Sequence, residues 1–447
     1  MNKNPLNKYI ERIIPRVLLL SSLVVMFSLM CCERHGAPLS TDQLFSARTT
    51  LDERQKFYAD LTTQTIEDAL QKNLHDSTES HWQGAFWAMG LTQYRSAHTD
   101  KAIGQAIEQF DQRSIDFQRA LLEVIYQLYP VTFTPAMETI IQQTRNPKIF
   151  AMGVNYLLRN KPARSADNFM ELLQKKFTDW PQQPILMQLY RHLETVSGQT
   201  KWKQPPLVDL FAHPFARGQV VLFSLQRRNR DYPGLTILRD GKGKFWRNHD
   251  GNPWSIPHLA RSASDLPGYL TNGNTPQGIY RIVGTEQSQN VFIGPTTNLQ
   301  LRLPFEASVE TFFGPAHTGD MLWTEERYGK LLPASWIKYA PIYDAFYAGK
   351  AGRNEIIAHG TTINPAYYSN QIFYPFTPSL GCLTAMELWD ANSGQCKYSD
   401  QVALINAYRS AGAGQGYFIL IELDDREAAV TLVDILDDLN RAERMNP

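Results

Sequence analysis

The sequence predicts an α+β protein in two parts: an N-terminal α-helical domain of solenoid-like helix-pair repeats, then a mainly β domain that ends in helices. Three observations carry this. Between about Thr41 and Val196 apolar residues recur at the spacing of helices with one buried face. The helical segments themselves recur: "HWQGAFWAMGLTQY", "DFQRALLEVIYQLY", "KIFAMGVNYLLRN" and "PILMQLYRHLETV" start at residues 81, 116, 148 and 184, and other helical segments lie between them. That is the period of stacked helix pairs. After about Arg217 the pattern turns to short runs rich in β-branched and aromatic residues, "GQVVLFSLQ", "GLTILRDG", "GIYRIVG" and "NVFIGP", punctuated by Gly, Pro, Asn and Asp. A chain of 447 residues exceeds what one core ordinarily serves, which fits a division into 1–32, 41–196, 197–217 and 218–447.

Residues 1–32 read as an export signal. Lys3, Lys8, Arg12 and Arg16 precede the apolar stretch Val17 to Met30, which is too short to span a bilayer comfortably. Leu29-Met30-Cys31-Cys32 resembles the bacterial lipobox, with Cys32 the expected lipid acceptor and Cys31 the alternative. The expected location is the periplasm, on a membrane through that lipid, the outer membrane foremost. The mature chain then keeps two thiols, Cys382 and Cys396, in a compartment that permits disulfides. Cys396 reads as a free or buried thiol, since a bridge to Cys382 would consume the candidate nucleophile.

Trp82, Phe86 and Trp87 share one helical segment, and their spacing assigns them to the core. A solenoid presents a concave surface, so a protein partner is expected on this domain. Residues 197–217 lose helical periodicity and gain prolines, as a linker does. Near the end, "DDREAAVTLVDILDDLNRAER" predicts a helix capped by Asp424 or Asp425, with Ala429, Leu432, Val433, Leu436 and Leu439 on its inner face.

Within the β domain "NEIIAHGTT" predicts a strand that delivers His359 at its end, and "PSLGCLTAMELW" places Cys382 after Gly381 and before a predicted helix, Leu383 to Trp389. A helix N-terminus and a nearby imidazole both favour thiolate. Gly381 lets backbone N–H groups approach a developing oxyanion. Ser379 is placed to fix the turn. The aromatic loop between base and nucleophile carries Tyr367, Tyr368, Phe373 and Tyr374, which either form a water-excluding lid over substrate or pack the loop down.

These residues together resemble the L,D-transpeptidase catalytic domain (YkuD fold) over about residues 218–425. His359-Gly360 matches the family's HG step, Ser379-Leu380-Gly381-Cys382 its S/T-x-G-C segment, and Thr275-Pro276-Gln277-Gly278-Ile279-Tyr280 its T-P-x-G-x-Y strand. The resemblance implies Cys382 as nucleophile and His359 as general base and acid. It also implies a backbone carbonyl at Gly360 that orients the imidazole, and oxyanion donors at the Gly381, Cys382 and Leu383 amides. Ser379, Tyr367, Tyr368 and Tyr374 fall on the substrate side. The substrate implied is a peptidoglycan stem peptide, attacked at the carbonyl between an L-centre and a D-residue. The chain departs from the family pattern at Leu380, where histidine is common, and at Thr384, where arginine is common.

Water in place of an amine acceptor would make the same site an L,D-carboxypeptidase, and loss of chemistry would leave a cell-wall-binding scaffold. No cofactor is expected. The ten histidines and four cysteines show neither C-x-x-C nor H-E-x-x-H spacing, and no phosphate-cradling glycine loop follows a strand. The 44 basic residues balance the 44 acidic ones, so no global field recruits nucleic acid.

Overall fold

The computed structural model describes residues 38–160, 165–314, 322–412 and 414–445; the stretch read above as an export signal, with Cys31 and Cys32, lies outside the described residues. Residues from Leu39 onward form one compact unit. It joins a helical N-terminal region to a large, mostly β sheet region.

The helical region contains Glu79–Thr92, Ala97–Glu108, Ile115–Leu128, Thr134–Gln143, Pro147–Leu158, Ser165–Lys176 and Pro184–Val196, and several of these start at capping residues. Ser96 and Thr99 form a reciprocal capping box, and Ser114 accepts from the Phe117 N–H. Asn146 accepts from Lys148 and Ile149, and Pro147 and Pro184 open helices where no N–H donor is needed. Trp82 and Phe86 are buried, as their spacing predicts, and Phe86 packs edge-on against Phe117 of a neighbouring helix.

The sheet is built from β1 (Val220–Gln226), β2 (Gly234–Arg239), β3 (Ser255–His258), β4 (Gly278–Glu286), β5 (Asn298–Arg302), β6 (Ile357–His359), β7 (Leu383–Thr384) and β10 (Gly416–Glu422). Their order is β3-β2-β1-β10-β4-β5-β6-β7, antiparallel except for the β1–β10 and β6–β7 pairs. The edges meet: Leu259, next after β3, exchanges both backbone hydrogen bonds with Thr384 of β7 at 2.9 and 2.8 Å. The sheet thereby closes on itself and leaves neither edge unpaired at that point. A separate hairpin, β8 (Glu387–Trp389) with β9 (Cys396–Ser399), follows the seam.

Three expected elements take another form. "NVFIGP" is a turn whose Phe292 packs against Phe57 and Trp87 of the helical region. The proline-rich stretch 197–217 contains a short helix, Leu207–Ala212, with Val208, Leu210 and Phe211 buried against the sheet, so it brings a core contribution of its own. In the C-terminal stretch the α-helix runs only over Leu436–Met445, and Ala429 and Val433 are exposed. The cause is Arg227. A buried guanidinium needs charged or carbonyl partners, and this one engages Asp424, Asp434 and the carbonyls of Ala428 and Ala429, which keeps residues 424–430 non-helical.

The helical and sheet regions share a core. Leu266, Tyr269 and Leu270 of the loop before β4 belong to the same apolar cluster as the helices. Polar contacts reinforce it: Asn155 donates to the Tyr269 hydroxyl at 2.8 Å, Lys148 to Thr271 at 2.9 Å, and Asn272 to Glu123 at 3.0 Å. Residues 39–51 reach back the other way, with the Cys396 N–H donating to Leu44 O at 3.0 Å and the Leu51 N–H to Ala391 O at 2.7 Å. Leu270→Ala should therefore lower the unfolding free energy by about 3 kcal/mol. Denaturant titration should show one transition, shifted alike by tryptophan fluorescence and far-UV circular dichroism. Two transitions, only one of them moved, would mean the regions unfold separately.

Candidate active site

β6 and β7 lie side by side in parallel, with Ala358 opposite Leu383 and His359 opposite Thr384. Cys382 immediately precedes β7. The candidate base and nucleophile thus lie on adjacent segments, His359 one residue after the Ala358–Leu383 pair and Cys382 one residue before it, two register steps apart.

The expected helix after Cys382 is absent; Leu383–Thr384 and Glu387–Trp389 are strands. Pairing decides the conformation, because Thr384 is held on one side by β6 and on the other by Leu259, and context of that kind overrides local propensity. The thiol consequently has no helix dipole behind it. Thr384 is buried and donates its hydroxyl to Thr377 O at 2.7 Å.

The cysteine turn is pinned from several directions. The Ser379 hydroxyl donates to Cys382 O at 2.8 Å and accepts from the Gly381 N–H at 3.0 Å, so Ser379 shapes the turn and the Gly381 amide is engaged inside it. That corrects the expectation of Gly381 as an oxyanion donor. The Cys382 N–H has no acceptor among the described residues and is the amide left for that role. Gly381 has φ of 114°, and a Cβ there would collide with Arg353 Nη2 and the Gly273 carbonyl, so only glycine suits the position.

The T-P-x-G-x-Y strand explains itself in this geometry. Thr275 donates its hydroxyl to Gly381 O at 3.0 Å, Tyr280 donates to Pro276 O at 2.5 Å, and Gly278, at φ of 144°, leaves no room for a side chain beside Ala345 and the Tyr328 hydroxyl. Arg353, nearly buried, bonds the carbonyls of Gly268, Gly273, Asn274 and Gly381. One guanidinium ties the cysteine turn to the loop that carries Tyr269 and Leu270.

His359 is buried, and its Nδ1 lies 2.5 Å from Gly360 O. A carbonyl can only accept, so Nδ1 carries the proton and Nε2 keeps the lone pair a base requires. Burial pushes the imidazole pKa down to about 4, with the Gly360 carbonyl opposing. Burial pushes the Cys382 thiol up to about 11, against the Ile357 amide and Arg353, which favour thiolate. At neutral pH both groups are uncharged. The thiol is half-buried, with Sγ 3.5 Å from Glu355 O.

Cys396 is also a free thiol, buried, its pKa raised to about 12. Of the aromatic loop, Tyr368 is buried and donates its hydroxyl to Leu91 O at 3.0 Å in the helical region, Phe373 is buried, and Tyr367 packs beside Tyr58. Those three rings pack the loop down; only Tyr374, at 51% exposure, is free to face a ligand. Leu380 is exposed next to the nucleophile.

Sequence reasoning missed the carbonyl clamp at Arg353, the wall that the helical region builds behind the site, and a buried carboxyl at Glu387. The only signal for Glu387 was an acidic residue inside the apolar run "LTAMELW". No protein-family model matches the chain, and neither the curated proteins nor the solved structures supply a match.

Thr384→Arg should destabilise the protein by about 3 kcal/mol or more, because it buries an unpaired charge in the strand seam. Thermal melting would show it. A stable and more active variant would mean that the seam opens readily and that Thr384 is a lost substrate contact.

Proposed function

We propose that the protein is a cysteine-dependent acyltransferase of the L,D-transpeptidase kind, acting on peptidoglycan stem peptides in the periplasm and anchored there through lipid on Cys32. The observation that carries the reading is the juxtaposition of Cys382 with an imidazole whose Nδ1–H is held by Gly360 O. Thr275 of the T-P-x-G-x-Y segment and Ser379 of the S-x-G-C segment both bond to the cysteine turn.

In this mechanism substrate displaces water, and the thiol turns from Glu355 O toward His359. Nε2 takes the thiol proton as sulfur bonds to the carbonyl carbon of the L-centre, and the carbonyl oxygen becomes an oxyanion facing the Cys382 N–H. Collapse re-forms the C=O bond and breaks the C–N bond. The leaving D-amino acid takes the proton from Nε2, and a thioester remains. An incoming amine then gives its proton to Nε2 and attacks the thioester, and the thiol regains that proton. A neutral resting pair suits this cycle, since charge develops only once substrate excludes solvent.

Water as acceptor gives the L,D-carboxypeptidase with the same residues. The scaffold reading is favoured by one observation, the resting thiol directed at Glu355 O with its pKa raised. A carbapenem separates the scaffold from the two acyl-transfer readings. The intact-protein mass should rise by one drug equivalent on Cys382 and not on Cys396, Cys382→Ala should give no adduct, and His359→Ala should slow acylation about a hundredfold. A folded wild type that gains no mass would favour the scaffold.

A further inference from the structure

The peptide unit that orients His359 is itself held from behind. Its carbonyl, Gly360 O, receives the imidazole Nδ1–H, and its N–H, that of Thr361, donates to Glu387 Oε2 at 2.8 Å. Glu387 is 5% exposed, and its other oxygen accepts from Thr296 Oγ1 and Ser399 Oγ, each at 2.7 Å. Gly360 lies so close that a Cβ there would collide with the carboxyl group. Two more bonds fix the same segment: the Ala385 N–H donates to His359 O at 2.9 Å and the Trp389 indole to Thr361 O at 2.9 Å.

We propose that Glu387 is a positioning residue that polarises the Gly360–Thr361 peptide and, through it, strengthens the hydrogen bond that holds His359 Nδ1–H. A carboxylate that accepts from the N–H pushes electron density through the amide onto its carbonyl oxygen and makes that oxygen a better acceptor, since hydrogen bonds in a chain reinforce one another at low dielectric. The arrangement performs the work of the carboxylate in a Ser-His-Asp triad with one peptide unit interposed. No proton reaches Glu387. When Nε2 takes the thiol proton, Nδ1 keeps its own, and the strengthened bond stabilises the imidazolium. This deepens the acyl-transfer reading and rests on His359 as its base.

Burying a carboxylate without a cation is costly, which a purely structural role would not require of this position. The Glu387 pKa is pushed up to about 7 by burial, opposed by its bonds to Ser399, Thr296 and Thr361. Asp400 and Cys396 are the other titratable groups that interact with it.

The test uses the full chain with 15N-labelled histidine, the His359 Nδ1–H resonance being assigned by its loss in His359→Ala. At pH 8, Glu387→Gln keeps the shape and removes the charge. The resonance should move upfield, and the maximal rate of Cys382 acylation by a carbapenem should fall about tenfold with apparent binding unchanged, the difference between a charged and a neutral hydrogen-bond partner. An unmoved resonance in folded Glu387→Gln, or an equal rate loss in the His359→Ala background, overturns the proposal.

Glu387 can also be tested without changing it. In wild type the resonance should move downfield as pH rises through about 7, and it should still do so in Asp400→Asn. A pH-dependent movement that disappears in Asp400→Asn would belong to Asp400 and overturns it. If wild type forms no adduct while the resonance follows Glu387, the acyl-transfer reading fails and the polarised peptide stands.

Discussion

A guanidinium taken out of water must find acceptors for its donors, and Arg353 finds them in the carbonyls of two loops. Its contacts with Gly268, Gly273 and Asn274 fix the loop that inserts Leu266, Tyr269 and Leu270 into the helical core. Its contact with Gly381 joins that loop to the cysteine turn. Much of the rest follows from this one requirement. Gly381 needs positive φ and no side chain because the guanidinium lies against it, and Thr275 adds a second bond to the same carbonyl. The helices act as a foundation for the turn that presents the thiol.

The strand seam supplies the second constraint. Thr384 pairs with β6 and with Leu259 at once, so the residues after Cys382 cannot coil into a helix, and His359 is fixed opposite them. The site this produces is desolvated, with a neutral base and a neutral nucleophile. Neutral groups of this kind keep the thiol in its less reactive form at rest.

The helical region and the β-rich region were legible because their periodicities differ, and His359, Cys382 and the T-P-x-G-x-Y strand were legible as local motifs. What could not be read was long-range. "LTAMELW" has the composition of a helix as much as of a strand, and only its neighbours decide. Arg353 lies six residues before His359 in the sequence, yet its partners come from residues 268–274 and 381. Tyr368 reads as a lid residue until the helical region offers it the Leu91 carbonyl. Glu387 gave no motif at all, because its meaning depends on Gly360 lying against it.

The most direct test of the account is incubation of the purified protein with a disaccharide tetrapeptide, followed by mass spectrometry of the protein and of the released products. The account predicts that Cys382 gains the mass of the acyl fragment as a thioester while the terminal D-amino acid appears in solution, and that neither happens with Cys382→Ala. Release of the D-amino acid at the same rate by Cys382→Ala, or a folded wild type that neither gains mass nor releases it, would contradict the account.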